Sequence, residues 1–393
     1  MNTSYRYAMA TVLLGWTFEA YAFMLFSMLA LPIMRDLHLN PLQYGAVMST
    51  ALLGTVAGGI LIGMLADKIG RVKVLALALL IYASAATSML AAQTYNHLLA
   101  AAALIGFGLG SEWSTGMTLI SELVPPEKRG LAVGIVQSGW PLGVLAAIAD
   151  TILVYPAYGW RAAFAAAAAP AIIVLAMTLH IQESPLWLKH RREAPTIPLT
   201  QLFKKPLIKN VAIALAIDVL AMFSYWLFWS WVPVFLAAEK GLTVVKSAEW
   251  LTTTQIGAWL GYISYGYLQD RLGRRPTWTI FLTAEATTII LYTLLPTPPH
   301  LLLPLGLLLG YFTGYWSGFG ALLSELFPTK IRSTALGFIF NTGRGINFAS
   351  PLIAAYLSQL YGWAAALSTA AIAAYTAATL VWLFPETKAK TLD

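Results

Sequence analysis

Six ionisable residues interrupt the long apolar runs of this sequence, and they are the first candidates for chemistry. The runs are long enough to cross a lipid bilayer, where an ionised side chain costs at least a few kcal/mol. Side chains retained at such a depth usually face a polar cavity or a partner of opposite charge. The set comprises five carboxylic acids and one guanidinium: Glu19, Glu112, Asp150, Asp218, Glu285 and Arg344.

Arg344 is the only basic residue well inside one of these runs, and its chemistry suits an anion. A guanidinium presents a planar fork of donors that matches a carboxylate with two parallel hydrogen bonds. Asn341 lies about one helical turn earlier, on the same face. Together they predict a binding site for a substrate carboxylate. The alternative is a structural ion pair between Arg344 and one of the intramembrane acids.

Glu19 and Glu112 are the candidates for proton coupling. Glu19 lies in the middle of the first apolar run, where a carboxyl group could bind and release a proton as each side opens. The alternative is a permanently neutral acid held by hydrogen bonds. Glu112 has Gly108, Gly110 and Gly116 as neighbours, which allow close helix packing. Glu112 could therefore be a polar link between helices instead.

The remaining acids and the aromatic residues receive simpler expectations. Asp150 and Asp218 are expected to be structural or gating residues, Asp150 within reach of water near the outer end of its run. Glu285 is expected to pair within its own half. Trp113 and Trp226 lie deep in their runs and are expected to line a substrate cavity, with lipid anchoring as the alternative. We expect Trp231 to be an interfacial anchor.

Several functional classes are disfavoured by what the sequence lacks. There is no cysteine, which excludes disulfides, thiolate chemistry and cysteine-based metal sites. No Ser-His-Asp set, no His-Glu-x-x-His motif and no Gly-x-x-x-x-Gly-Lys-Ser/Thr phosphate loop occurs. We therefore expect no enzyme, no cofactor and no bound metal. A signalling receptor would need an appended domain, and too few residues lie outside the apolar runs for one.

The composition requires lipid around most of the chain. Of 393 residues, 59% are hydrophobic and only 10% are charged, whereas soluble domains carry about 25% charged residues. The first run is too long for the core of a signal peptide. Continuous runs of about 20 apolar residues predict an all-α membrane protein with twelve transmembrane helices. The predicted spans are 8–31, 45–65, 73–91, 98–121, 131–154, 161–181, 211–236, 251–268, 277–295, 301–324, 333–358 and 363–384.

Basic residues predict the orientation of the spans. The net charge of +7 arises from 24 basic and 17 acidic residues, and most of the basic residues lie between spans. One set of connectors and both tails hold 19 of them, while the opposite side holds Arg35, Arg161, Lys240 and Lys246. The positive-inside rule then places both termini on the cytoplasmic side of a cell membrane. The partner of this charge is the bilayer and no nucleic acid is expected.

An internal repeat divides the chain into two similar halves. Several segments recur at a constant offset of 203 residues, which chance would not maintain. The repeated segments are 63–71 and 266–274, 121–129 and 324–332, and 158–160 and 361–363, with Glu183 and Glu386 at the same offset. We predict a six-helix bundle at 1–181, a cytoplasmic central loop at 182–210 and a second six-helix bundle at 211–393. Two such repeats can rock about a shared site.

The repeated loop segments resemble the signatures of the major facilitator superfamily. Residues 63–71, Gly-Met-Leu-Ala-Asp-Lys-Ile-Gly-Arg, are similar to its most specific motif, and residues 266–274 are the second copy. Glu183-Ser184-Pro185 and Pro385-Glu386-Thr387 resemble the motifs that end each half. The resemblance implies two pseudo-symmetric six-helix bundles and a cytoplasmic latch, with topology alone as the alternative role. The implied gating residues are Gly63, Asp67, Arg71, Glu122, Arg129, Asp270, Arg274, Glu325 and Arg332.

A narrower resemblance is to metabolite–proton symporters of the lactate/sialate and aromatic-acid type. Residues 15–21, 106–113 and 341–344 are similar to segments of their first, fourth and eleventh helices. Residues 137–140 match a fifth-helix pattern, which implies that Gln137 contacts substrate. The first helix of those proteins usually carries a second Asp, and this chain has Ala22 there. That difference bears directly on proton coupling.

These observations predict a secondary transporter of small organic monocarboxylates with proton symport, functional as a monomer. The substrate carboxylate would bind Arg344, and Glu19 or Glu112 would carry the proton. A carrier of neutral solutes such as sugars is the first alternative, and Arg344 disfavours it because a sugar site needs no buried cation. A drug–proton antiporter is the other alternative.

Overall fold

The computed structural model describes residues 3–123, 132, 135–184, 188, 199–295, 299–327 and 329–387. Within these ranges the regular elements are helices and no strand occurs. Helices satisfy their backbone hydrogen bonds internally, as a chain surrounded by hydrocarbon requires. The predicted all-α fold class is confirmed.

The chain forms two compact units. The first unit comprises Met1–Pro195 with Thr243–Ala248, and the second comprises Thr196–Leu242 with Glu249–Asp393. The predicted bundle and loop boundaries at 181 and 210 stay a prediction.

In the first unit, one central helix contacts most of the others. α1 packs against α5, α6 and α7, and α3 and α4 pack against α5. The helices of this unit are α1 (Thr3–Met28), α2 (Ala30–Asp36), α3 (Pro41–Ile69), α4 (Arg71–Ser88), α5 (Tyr95–Leu123), α6 (Gly139–Leu153) and α7 (Tyr155–Thr178).

The second half of the chain repeats this plan around α8, which packs against α14, α15 and α16. Short 3-10 turns at Thr313–Tyr315 and Asn347–Ala349 divide the tenth and eleventh predicted spans into two helices each. The helices are α8 (Leu207–Trp229), α9 (Val232–Lys240), α10 (Val244–Leu272), α11 (Arg274–Leu294), α12 (Pro299–Phe312), α13 (Trp316–Leu326), α14 (Thr329–Ile346), α15 (Ser350–Ser368) and α16 (Ala370–Leu380).

Several helices are longer than their predicted spans, since hydropathy detects only the part of a helix that lies in hydrocarbon. α3 shows how the extension is stabilised. Its first residue is Pro41, four residues before the predicted start, and Asn40 accepts a hydrogen bond from Gln43 N at 2.8 Å. The Gln43 side chain accepts in return from Asn40 N at 2.9 Å. This reciprocal cap satisfies two backbone donors that the helix itself leaves open.

Six stretches of the described residues meet a strict combined test of helix length and hydropathy for a membrane span. The last of them, Ala335–Leu383, contains two predicted spans separated by a turn at Gly362 with φ +80°. Gly159, 203 residues earlier, has the same φ and separates the fifth and sixth spans. Glycine adopts this left-handed backbone without steric strain. The repeat seen in the sequence is thus present in the backbone conformation.

Close backbone contact between α3 and α5 depends on small residues. A Cβ atom added to Gly110 would collide with the Thr55 carbonyl oxygen. A Cβ atom added to Gly58 would collide with the carbonyl oxygen of Phe107. Membrane helices lack a hydrophobic drive to associate, so such small-residue contacts provide much of their packing energy.

We expect Gly110→Ala to destabilise the protein by about 1–3 kcal/mol, the usual cost of overpacking. The obstacle is backbone, so the two helices must separate to accommodate the methyl group. Gly266→Ala is the matched control, because a Cβ there has no neighbour within 4 Å. Thermal unfolding of both detergent-purified variants measures the effect. Equal unfolding temperatures would show that α3 and α5 do not rely on this contact.

Candidate functional site

The acid pair, Glu19 on α1 and Glu112 on α5, lies in the interior of the first unit. Both side chains are almost completely inaccessible to solvent, and their carboxyl groups interact with each other. None of their four oxygens makes a well-formed hydrogen bond with a described residue. A Cβ atom at Gly15 would collide with Glu112 Oε1, so glycine admits Glu112 to the surface of α1. Two neighbouring carboxyl groups can share one proton, which lowers the repulsion between them.

Tyr82 on α4 lies beside the acid pair, a neighbour that sequence reasoning missed. Its phenol is fully buried and interacts electrostatically with both carboxyl groups. The hydroxyl donates to the carbonyl oxygen of Phe18 at 2.9 Å and also lies against that of Ala167. Tyr82 therefore ties α4 to α1 and α7 directly behind the acids.

Asp150 differs from the expectation that it reaches water. It is buried, and the Tyr21 hydroxyl donates a hydrogen bond of 2.7 Å to its Oδ2. The bond joins α1 to α6 across 129 positions of sequence. A structural role for Asp150 agrees with this geometry. Hydropathy places the residue near a span end but contains no information on a partner from another helix.

Arg344 is the centre of the second unit's site. Only 4% of the residue is exposed, and its Nε and Nη1 atoms have no hydrogen-bond partner among the described residues. The guanidinium carbon lies 4.9 Å from the centre of the Phe340 ring, a cation–π contact. Buried donors without partners are expensive in apolar surroundings. The arrangement suits an anionic ligand.

Asn341 and Asn347 flank Arg344 on the same stretch of chain. The Asn341 amide donates to the Gly337 carbonyl oxygen at 2.9 Å, and its Oδ1 has no partner among the described residues. The Asn347 amide donates to the carbonyl oxygens of Gly343 at 2.8 Å and Val219 at 2.9 Å. Asn347 thus holds α8 against the end of α14. The sequence analysis did not single it out, although it lies three residues from Arg344.

Asp218 on α8 is the acid that interacts electrostatically with Arg344, and the two opposite charges attract one another. Both carboxylate oxygens of Asp218 have no hydrogen-bond partner among the described residues. A Cβ atom at Gly343 would collide with Asp218 Oδ2, so the carboxylate lies directly against the backbone of α14. The two groups attract one another without a hydrogen bond, which leaves Nε and Nη1 of the guanidinium without a partner among the described residues.

A series of aromatic rings extends from Trp226 towards Arg344. Trp226 packs edge-on against Tyr225 with centroids 5.3 Å apart, and Tyr225 contacts Trp316 at 6.0 Å. Trp316 contacts Phe340 at 6.4 Å, and Phe340 underlies the guanidinium. Trp226 is buried. Successive rings of this aromatic series are nearly perpendicular to one another, and they provide apolar contact area next to a cation.

Three other predicted positions have separate outcomes. Gln137, predicted to bind substrate, is half-buried in the first unit, at the approach to α6. The side chain of Trp113 lies outside the described residues. Trp231 is not an interfacial anchor: it is fully buried, its indole donates to the Pro351 carbonyl oxygen at 3.0 Å, and its ring packs at a tilt against Trp363 with centroids 4.7 Å apart. Trp231 lies in the break between α8 and α9, where its contacts with Pro351 and Trp363 of α15 help to enclose the indole.

The pairing of Glu285 within its own half agrees with the prediction, and its partner follows from the repeat. Buried Glu285 on α11 interacts with the Tyr315 hydroxyl. At the offset of 203, Glu112 corresponds to Tyr315 and Tyr82 corresponds to Glu285. The carboxyl and phenol groups have therefore exchanged helices between the halves. The offset, applied to single residues, would have identified Tyr82 and Tyr315 from sequence.

The latch residues of the second unit form a network of charges at the start of α11. Arg274 donates from Nε and Nη2 to the two oxygens of Glu325, at 3.0 and 2.7 Å. Thr387 donates to Glu325 Oε2 at 2.6 Å. Glu386 accepts from the backbone N of Arg274 at 2.8 Å and of Arg275 at 3.1 Å. A carboxylate at a helix N-terminus is favoured by the unpaired backbone donors and by the helix dipole.

The first unit repeats the helix cap. Glu183 Oε2 accepts from the backbone N of Val72 at 3.2 Å, near the start of α4, at the position equivalent to Arg275. Arg71 donates from Nη1 to the Ala66 carbonyl oxygen at 3.0 Å. Arg129 and the side-chain environments of the other predicted gating residues lie outside the described part of the chain: Gly63, Asp67, Glu122, Asp270 and Arg332.

We expect Glu325→Ala to destabilise the protein by about 3 kcal/mol. The Arg274 and Glu325 side chains are only 10% and 11% exposed, and removal of one member of a largely buried ion pair leaves the other uncompensated. Asp36→Ala is the control, because the Arg161–Asp36 pair is far more exposed, at 32% and 45%, and such pairs contribute about 1 kcal/mol or less. Thermal unfolding compares the two, and a larger loss for Asp36→Ala would contradict the assignment.

The sequence is similar to a known protein family and to transport proteins within it. The family model described as Major Facilitator Superfamily matches residues 11–251 and 219–392. The chain is 34% identical to a Haemophilus influenzae protein named "Putative metabolite transport protein", over 96% of both chains. It is 31% identical to the "Probable 4-methylmuconolactone transporter" of Cupriavidus pinatubonensis, over 95% of this chain and 89% of that one. It is 27% identical to the niacin transporter NiaP of Acinetobacter baylyi, over 97% and 94%.

Among solved structures, the fold is similar to that of the xylose transporter XylE from E. coli in a partially occluded inward-open conformation. The TM-score is 0.84, all of both chains is covered, and sequence identity is 18%. At that identity the likeness shows the fold alone. It agrees with the predicted arrangement of twelve helices in two six-helix bundles.

Proposed function

The chain belongs to the Major Facilitator Superfamily, and from that premise we propose that it carries small organic monocarboxylates across a cell membrane together with protons. It is a multi-pass membrane transporter of small molecules and not an enzyme. The mechanism is alternating access, in which the loaded site opens first to one side of the membrane and then to the other.

The observation that supports the substrate class is the buried guanidinium of Arg344. Two of its nitrogens have no hydrogen-bond partner among the described residues, and Asn341 Oδ1 lies one turn away in the same condition. A carboxylate supplies two acceptors at the spacing of the guanidinium fork. A neutral sugar would leave the cation unsatisfied. The aromatic series from Trp226 to Phe340 adds an apolar surface for the rest of the ligand.

The relatives support the same substrate class. One is named for niacin and another for 4-methylmuconolactone, and each of these compounds contains one carboxyl group and one small ring. Arg344 would bind that carboxyl group, and Trp226 would contact the ring. The substrate-binding set that we propose is Arg344, Asn341, Gln137, Trp113 and Trp226.

The acid pair supports proton symport. The symporters that this chain resembles usually carry a second acid in the first helix, at the position of Ala22. In this protein Glu112, from α5, lies against Glu19 instead. Two carboxyl groups that share one proton carry a single negative charge, and a second proton neutralises the pair. A proton taken up from one side of the membrane and released on the other would drive the substrate in the same direction.

Orientation and assembly complete the proposal. The asymmetry of basic residues supports a cytoplasmic location for both termini and for residues 182–210. The latch residues of 63–71, 121–129 and their repeats then lie on the cytoplasmic side, where their contacts would oppose inward opening. One chain contains both halves of the repeat, which supports function as a monomer.

Uptake into liposomes tests the substrate class and the coupling together. Purified protein is reconstituted, and entry of radiolabelled benzoate and lactate is measured with and without an inward proton gradient. We expect uptake of at least one acid. The inward proton gradient should stimulate this uptake, and a sodium gradient should not. Uptake of xylose with no uptake of either acid would overturn the carboxylate assignment in favour of a neutral solute. Expulsion of a cationic dye in exchange for protons would favour a drug antiporter.

A further inference from the structure

Asp218 is a buried acid for which the proposed transport cycle has no role so far. It lies on α8 with no solvent-exposed surface. Its two oxygens have no hydrogen-bond partner among the described residues, and Oδ2 lies against the backbone at Gly343, the residue before Arg344. A carboxylate in this condition depends on a nearby positive charge for its stability.

Arg344 is the group that supplies this charge. α8 packs against α14, α15 and α16 and against short turns on either side. The tyrosines on α15 and α16, Tyr356, Tyr361 and Tyr375, are exposed side chains. Tyr225 on α8 itself faces Trp226, Trp229 and Trp316. Among the described residues, Arg344 is the one whose charge acts on Asp218.

Binding of a substrate removes this compensation. With Asp218 ionised, the empty site holds one guanidinium and one carboxylate, and the local charge is zero. When a second carboxylate, that of the substrate, binds to the Arg344 fork, the site holds one positive and two negative charges. An uncompensated carboxylate in the interior costs several kcal/mol. Transfer of one proton from water to Asp218 restores a local charge of zero.

We propose that Asp218 takes up a proton whenever a substrate carboxylate binds Arg344, which makes it a second proton-binding site beside the acid pair. This inference rests on the proposed function, because it requires a carboxylate ligand at Arg344. Substrate and proton are linked because they alter the same charge balance, so each strengthens the binding of the other. Asp218 binds the proton itself but does not contact the substrate, and its charge affects substrate binding through Arg344.

Proton uptake on ligand binding is the direct test. Isothermal titration of purified protein with benzoate, in buffers of different ionisation enthalpy, counts the protons taken up per benzoate bound. We expect Asp218→Asn to bind benzoate while taking up about one proton fewer than the unmodified protein. In the pH range where binding weakens with rising pH, the Kd of the unmodified protein should rise with each pH unit. The Kd of Asp218→Asn should rise by a factor up to about tenfold smaller per pH unit. Glu285→Gln, which alters an equally buried acid of the same unit, should behave like the unmodified protein.

The outcomes separate this inference from the proposed function. If the unmodified protein binds neither benzoate nor lactate, the proposed function is overturned, and this inference with it. Binding with the same proton count in Asp218→Asn would overturn the role of Asp218 alone. If Asp218→Asn does not fold, infrared difference spectroscopy of the unmodified protein replaces it. Benzoate must then convert a carboxylate band into a protonated carboxyl band, and its absence overturns the inference.

Discussion

Replacement of Arg344 with alanine is expected to weaken binding of benzoate or lactate by roughly 1.5 to 3.5 orders of magnitude. Truncation of one partner of a buried, hydrogen-bonded charge pair costs about 2–5 kcal/mol, and each 1.4 kcal/mol corresponds to about tenfold in Kd. Arg344→Lys retains the charge but loses the planar fork, and we expect an intermediate loss of roughly tenfold. Equilibrium titration of the purified variants measures both values.

A loss of binding must be separated from a loss of folding, since Arg344→Ala also leaves Asp218 without a counter-charge. The double variant Arg344→Gln with Asp218→Asn removes both charges and should restore the unfolding temperature without restoring binding. Arg161→Ala is a control for the removal of a guanidinium, because Arg161 lies partly exposed in the first unit. Normal benzoate affinity in a folded Arg344→Ala protein would show that the carboxylate binds elsewhere.

Glu112→Gln is expected to lower the gradient-driven accumulation of substrate about tenfold for each unit of pH difference across the membrane. A proton coupled to transport contributes about 1.4 kcal/mol per pH unit, which is a factor of ten in the accumulation ratio. A carboxamide is nearly isosteric with the acid but cannot release a proton. Steady-state accumulation in liposomes measures the ratio, and substrate exchange at equal pH should persist.

Glu285→Gln is the matched control for this experiment as well, since it removes a buried carboxyl group that pairs with a phenol and not with a second acid. Its accumulation ratio should equal that of the unmodified protein. An unchanged ratio in Glu112→Gln, or an equal loss in both variants, would contradict a specific role for the acid pair.

The course of the chain through the membrane could be predicted from sequence because it depends on local quantities. Apolar runs of sufficient length give the spans, and a constant offset gives the repeat that the glycines at 159 and 362 preserve as equal backbone angles. Single residues were also identified because a charge inside an apolar run is conspicuous. This pattern marks Arg344, Glu19 and Glu112 as candidates without reference to their neighbours.

The partners of these residues could not be predicted, because they come from other helices at large sequence separation. Nothing in the segment around Asp150 indicates that Tyr21 reaches it across 129 positions. The expectation for Trp231 was wrong for a similar reason. A tryptophan near the end of a span is typical of a membrane interface, and only the break between α8 and α9 encloses this one. The closeness of Asp218 to Gly343 likewise depends on how two helices cross.

The exchange of carboxyl and phenol groups between the halves has a consequence for the ancestry of the chain. A primitive carrier made of two identical copies of one half would have presented the same side chains twice. Here, at the repeat offset, Glu19 corresponds to Met222, Arg344 to Pro141 and Asp218 to Gly15. Each of these three functional groups corresponds to a residue without an ionisable side chain in the other half of the sequence. After duplication the two copies therefore diverged: the first supplies the acid pair, the second supplies Arg344 and Asp218, and neither could now be replaced by a second copy of the other.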